Sequence, residues 1–302
     1  MQSLSRKWII IASALFVVLV VGVVLLISSQ KDYKGTEFGE DEELLDKNLK
    51  PEVANGKNKV IGASVEGRAI EAYTFGAGAT KILLVGGIHG GYEWNSVILA
   101  YKFVDYFEAN PSAVPANLSV VIIPSLNPDG VFKIVGKEGR FTASDIPGGI
   151  DTAPGRFNAN EVDLNRNFDC EWQPTSNWRS NIVSAGTSAF SEPEAKVLRD
   201  FVLANKFASV TFWHSQAGIV YASDCEAGTL PETLTLMNTY AKAAGYGAVE
   251  KFSAYKVTGD AEGWLAKIGI PSITVEFTTH DILEWEKNLA GVKALLAYYR
   301  GK

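Results

Sequence analysis

The run KILLVGGIHGGYEWNS at residues 81–96 constrains this chain more than any other stretch. Ile82, Leu83, Leu84 and Val85 form a continuous apolar run of the kind that fills a strand buried on both faces, and Gly86-Gly87 lets the backbone turn sharply after it. His89 therefore stands at a strand end. From Glu93 onward the apolar residues Val97, Ala100, Tyr101 and Val104 recur at helical spacing, so Glu93 lies at or near a helix start. An imidazole and a carboxylate brought together at such a corner can supply two of the three protein ligands of a catalytic zinc. The competing reading is a core histidine beside a solvated, helix-capping glutamate, and this stretch alone does not separate the two.

A chain of 302 residues, 47% hydrophobic and 21% charged, can bury a sizeable core in one domain. Its formal net charge of −6 provides no large basic field, which argues against nucleic acid as a partner and is compatible with a cationic peptide. Residues 8–27, WIIIASALFVVLVVGVVLLI, carry no charge, and twenty residues at about 1.5 Å each match a hydrocarbon layer of roughly 30 Å. Ser28-Ser29-Gln30 makes a poor cleavage site, so an uncleaved signal anchor at the lipid bilayer is favoured over a removed signal. Arg6 and Lys7 keep the N-terminus cytoplasmic and send the remainder to the extracytoplasmic side. The expected organisation is a tail over 1–7, a transmembrane anchor over 8–28, a polar stalk over 29–54 and a globular domain over 55–302.

Within that domain a hairpin is expected on either side of Glu66-Gly67, then the central strand, a helix, and a second buried strand LSVVII ending at the turn Asn127-Pro128-Asp129-Gly130. Strand, helix and strand at this spacing argue for a mixed or parallel α/β sheet. Residues 132–154 read as a long polar loop. In the following segment, GRFNANEVDLNRNFDCEW, Arg156 and Arg166 are either surface arginines or, for Arg166 with the amide of Asn165, a planar fork that recognises a carboxylate. Ser191-Glu192-Pro193-Glu194 reads as a capping box, with serine at the N-cap and Glu194 closing it. ASVTFW is a strand that delivers His214. Glu276 interrupts the β-branched run SITVEF, where a carboxylate is costly unless paired or functional.

Taken together, His89 with Glu93, NPDG, Arg156, VDLNRNF, SEPE, His214-Ser215 and TGDAEGWLAKIGIPSITVEF resemble the zinc metallocarboxypeptidase family, the carboxypeptidase A-like zinc peptidases of bacterial membrane-anchored type. The resemblance implies a single domain with a central mixed, mostly parallel eight-stranded sheet flanked by helices. It also implies one zinc ion on His89, Glu93 and His214, with Glu276 as the base that activates the metal's water and Arg156 as oxyanion stabiliser. The substrate's terminal carboxylate would lie on Asn165 and Arg166, with Tyr255 hydrogen-bonding nearby and Glu262 at the specificity position, where an acid favours a basic end group. One departure stands out: HGGYE has one residue more between histidine and glutamate than the family's usual spacing, so the turn must absorb it.

His280 reads as a loop residue with at most an indirect role. Cys170 and Cys225, the only two cysteines, are read as a disulfide tying two site loops together, against two free thiols. Besides metallocarboxypeptidase action on peptides, two alternatives remain: an endopeptidase or amidase acting on cell-wall stem peptides, and a catalytically inactive peptide-binding protein.

Overall fold

All six residues of LSVVII are buried, and the side chains of KILLV alternate between two separate apolar clusters, so both runs are strands covered on each face. The computed structural model describes residues 57–302; the tail, anchor and stalk expected over 1–7, 8–28 and 29–54 lie outside them. Among the described residues no helix is long and apolar enough to cross a membrane.

In chain order the elements begin with strands β1 (Lys57–Ala63), β2 (Ala69–Gly76) and β3 (Thr80–Val85), helix α1 (Trp94–Ala109), β4 (Leu118–Ile123) and α2 (Pro128–Val135). A small hairpin follows, β5 (Thr175–Trp178) and β6 (Asn181–Ser184), then α3 (Pro193–Asn205), β7 (Ser209–Ser215) and β8 (Ile219–Ala222). A two-stranded ribbon, β9 (Asp224–Cys225) with β10 (Gly228–Thr229), leads to α4 (Pro231–Ala244) and β11 (Gly247–Val249). The chain ends with α5 (Ala261–Lys267), β12 (Ser272–Phe277) and α6 (Trp285–Arg300).

Eight strands form one mixed sheet in the order β1-β2-β4-β3-β7-β12-β8-β11. Pairs β3/β4, β3/β7, β7/β12 and β8/β11 are parallel; β1/β2, β2/β4 and β8/β12 are antiparallel. The apolar face of α1 packs with α4 and α6 on one side of the sheet, where Phe103 stacks on Trp213 at 5.0 Å between ring centroids. Ala195, Leu198 and Val202 of α3 and Trp264 and Leu265 of α5 cover the other side. A buried polar chain crosses one of these layers: Trp213 Nε1 donates to the Tyr240 hydroxyl, which in turn donates to Asn288 Oδ1 at 2.8 Å.

Two local expectations are corrected. Asn127-Pro128-Asp129-Gly130 opens a helix: Asn127 Oδ1 accepts from Gly130 N at 2.9 Å and Pro128 occupies the first turn, so residues 132–135 are helical and the loop begins at Gly136. At SEPE the N-cap is Glu192, with no side-chain cap. Glu194 does not close a capping box; its fully buried carboxylate accepts from Val65 N at 3.1 Å and from Asn158 Nδ2 at 3.1 Å. Distant donors meet this carboxylate once α3 lies beside the β1–β2 turn, and they replace the local bond.

Candidate active site

Strands β3, β7 and β12 are consecutive and parallel, so the chain leaves all three at the same edge of the sheet, where open α/β sheets place their ligands. His214 on β7 and Glu276 on β12 are partners in register. They are therefore neighbours on one face. His89 follows β3, and a 3-10 helix, Gly90–Glu93, takes up the extra residue of HGGYE before α1 begins. That turn needs glycine: Gly90 has φ +46°, and a Cβ there would lie 2.6 Å from Gly155 O.

His89, Glu93 and His214 are buried, and each offers one ligand atom within 4.8 Å of the others. His214 Nδ1 lies 3.0 Å from Glu93 Oε2, yet that oxygen makes no aligned hydrogen bond. His89 Nδ1 and Glu276 Oε2 are likewise buried without a hydrogen-bond partner. Two buried imidazoles and a buried carboxylate whose ligand atoms converge match the donor set of a catalytic zinc. Burial, reinforced by the Arg156 charge, pushes the His89 pKa well below its ordinary value, which keeps the imidazole neutral and able to ligate. At His214 burial opposes the charged form, but the carboxylates of Glu93 and Glu262 outweigh it and the pKa lies well above the ordinary value. For Glu276, burial and then the charge of Glu93 raise the carboxyl to about 7.

Arg156 approaches this centre from one side. Its Nε donates to Asp163 Oδ2 at 2.8 Å, its Nη1 is 3.9 Å from Glu93 Oε1, and its guanidinium lies 4.8 Å from the Trp178 ring centroid. Asp163 was not singled out in the sequence, although an acid between Val162 and Leu164 was its signal. It is fully buried, accepts from Asn165 N at 3.1 Å and lies 3.6 Å from His89 Nδ1, so one carboxylate orients Arg156 and Asn165 beside that imidazole.

Asn165 and Arg166 sit on the 3-10 helix Leu164–Arg166. Arg166 is buried, and its guanidinium donates to carbonyl oxygens: Asn177 O at 3.1 and 2.9 Å and Asn165 O at 2.5 Å. Asn165 Oδ1 accepts from Ala261 N at 2.8 Å. A cavity of roughly 620 Å³ collects the metal cluster, Arg156, Asn165, Arg166, Tyr255 and Glu276 on its walls. The Tyr255 ring meets Phe252 edge-on at 4.8 Å. Asp260 borders the same space and caps α5 through Gly263 N; burial and the Glu262 charge raise its carboxyl to about 6.

Glu262 also borders the cavity, and its carboxylate is engaged by neighbouring side chains. Oε1 lies 3.1 Å from His214 Nε2 and accepts from Thr274 Oγ1 at 3.1 Å. His280 Nδ1 lies 2.7 Å from Ser215 Oγ, next to His214, and its ring is 4.6 Å from Tyr92. Cys170 and Cys225 are disulfide-bonded and border the cavity; closing a loop with a separation of 55 residues stabilises the fold by about 4 kcal/mol in the chain-entropy account.

A family described as zinc carboxypeptidase matches residues 50–285. Among curated proteins, the chain is 24% identical to gamma-D-glutamyl-L-diamino acid endopeptidase 1 of Lysinibacillus sphaericus over 72% of its length, and 28% identical to carboxypeptidase B of Helicoverpa zea over 63%. It spans 59% and 48% of those two proteins. Among solved structures, a murein-tripeptide amidase from Escherichia coli O157 superposes with a TM-score of 0.58 at 22% identity, over 80% of this chain and 91% of that one. That likeness concerns the fold.

Gly90→Ala is expected to lower stability by about 1–3 kcal/mol through the left-handed backbone alone, with further loss from the Gly155 clash, and to release zinc. Urea unfolding and metal analysis check this, with Gly67→Ala, at φ +82° in open space, as the control. Stoichiometric zinc and wild-type stability in Gly90→Ala would contradict the close approach.

Proposed function

The chain belongs to the zinc carboxypeptidase family, and from that premise we propose that it hydrolyses the C-terminal peptide bond of a peptide substrate. His89, Glu93 and His214 hold one zinc ion in this reading. When bound, zinc supplies Lewis-acid polarisation and lowers the pKa of a water to about 7.

The observation that carries the reading is Glu276. Its carboxylate is in register with His214, and Oε2 is buried with no hydrogen-bond partner, which suits a base that takes a proton from water and returns it to the leaving amine. Arg156, held by Asp163, faces the developing oxyanion, a contribution on the order of 3 kcal/mol by analogy with single oxyanion donors. The terminal carboxylate of the peptide docks on Arg166 with Asn165, and Tyr255 closes over it, which fixes the last peptide bond in place. Asp260 makes one wall of the cavity acidic, which favours a basic end group such as lysine, arginine or a diamino acid.

A second reading, cleavage of cell-wall stem peptides, is favoured by the similarity to a gamma-D-glutamyl-L-diamino acid endopeptidase over 72% of the chain. Zinc-dependent release of amino acid from muropeptides and from ordinary peptides, each with and without chelator, separates the two. The inactive alternative rested on the stretched His89–Glu93 spacing, which the short helix Gly90–Glu93 accommodates. Residues 8–28 are proposed to anchor the domain on the extracytoplasmic side. Partition into a membrane fraction that resists high salt and is lost on deletion of residues 1–28 is the expected result; a full chain that stays in the supernatant would refute it.

Glu276→Gln is expected to reduce kcat by about 10²–10⁴-fold with zinc content unchanged. The acid limb of kcat/KM follows from the same group. Below its pKa the carboxyl is protonated and cannot accept a proton, so the rate falls as pH drops through that value. A bound cation draws the limb down from about 7 toward the ordinary 4.5, and it should fall between them; a profile flat across that interval would remove Glu276 as base.

Substrates whose C-terminus is amidated should show a KM raised about tenfold or more, as expected when a charge-assisted contact of about 1.5–3 kcal/mol is lost. Arg166→Ala should raise KM for the free acid and abolish the distinction between acid and amide. An Arg166→Ala enzyme that still discriminates would place the carboxylate site elsewhere.

A further inference from the structure

His214 has a carboxylate beside each ring nitrogen. Nδ1 faces the metal cluster, 3.0 Å from Glu93 Oε2, and Nε2 lies 3.1 Å from Glu262 Oε1. Glu262 is itself fixed. It is 3% exposed, its Oε1 accepts the Thr274 hydroxyl, and its backbone carbonyl accepts Ser272 Oγ at 3.2 Å. Thr274 and Ser272 lie on β12, the strand that carries Glu276 and pairs with the strand of His214. One carboxylate on α5 is therefore tied to both strands that build the centre.

We propose that Glu262 is a positioning residue: it accepts the Nε2–H of His214 and thereby holds Nδ1 toward the zinc site. A carboxylate behind a ligating imidazole selects the tautomer, fixes the ring about its axis and increases the basicity of the other nitrogen. An oxygen committed to a buried imidazole and a hydroxyl is not free to read a substrate side chain. The position at which the family places its specificity residue thus serves the metal in this chain. This inference rests on the reading of His214 as a zinc ligand.

The test is a zinc titration of the purified full chain against a competing chelator, for wild type, His214→Ala, Glu262→Gln and Glu262→Ala. Loss of about 10–100-fold in affinity is the usual effect of removing such a partner. Glu262→Ala should lie near the upper end, and Glu262→Gln, which keeps a neutral acceptor, near the lower. The urea midpoint of the metal-free Gln variant should stay at the wild-type value, which a merely structural role would not permit. At saturating zinc the ratio of hydrolysis for lysine-ended over leucine-ended peptides should be unchanged.

If Glu262→Ala fails to fold, Glu262→Gln decides, and an unchanged Kd for zinc in it overturns the proposal. A shifted substrate ratio with unchanged zinc affinity also overturns it and returns Glu262 to specificity. Wild type and His214→Ala binding zinc equally, or not at all, would instead sink the zinc-site reading on which the inference rests.

Discussion

The hydrogen-bonded register of three adjacent parallel strands is the constraint from which the rest of the site follows. With His214 and Glu276 opposite one another on β7 and β12, a slip of one residue would send one of them to the far face, and the buried layers on both sides of the sheet forbid that slip. The third strand, β3, brings His89 to the same edge. The candidate metal cluster and Glu276 thus stand on or beside the buried centre of the sheet. The surrounding arginines and amides come from short 3-10 turns and loops that are pinned onto it.

Those loops are held by buried ionic contacts as well as by apolar anchors such as Leu164 and Phe168. Asp163 takes Arg156 Nε and Asn165 N and stands behind His89, while Glu262 stands behind His214. Each neutralises or orients a neighbour that would be costly to bury alone. At the site itself, oxygens of Glu93 and Glu276 and a nitrogen of His89 are buried without a hydrogen-bond partner among the described residues. A divalent cation offsets that local excess. The protein tolerates an under-satisfied cluster there because the disulfide and two apolar layers stabilise the frame around it.

Where sequence reasoning went astray, a local pattern met a stronger distant partner. Ser191 and Glu194 have the spacing of a capping box, but Glu194 is drawn to Val65 and Asn158 across the domain. Asn127-Pro128-Asp129-Gly130 has the composition of a turn and becomes a helix start because Asn127 finds Gly130 N. Asp163 was overlooked although its hydrogen-bond partners, Arg156 and Asn165, lie in its own segment.

The residues alone determined the buried strands, the strand-end placement of both histidines and the chemical character of Glu276, because apolar periodicity and a lone acid in a β-branched run are local properties of the chain. Whether an extra residue in HGGYE could be absorbed, which acid stands behind which imidazole, and which carboxylates stay unpartnered were decided only by the tertiary structure. Those outcomes depend on distances between segments tens to more than a hundred residues apart, and such distances exist only once the sheet has closed its register.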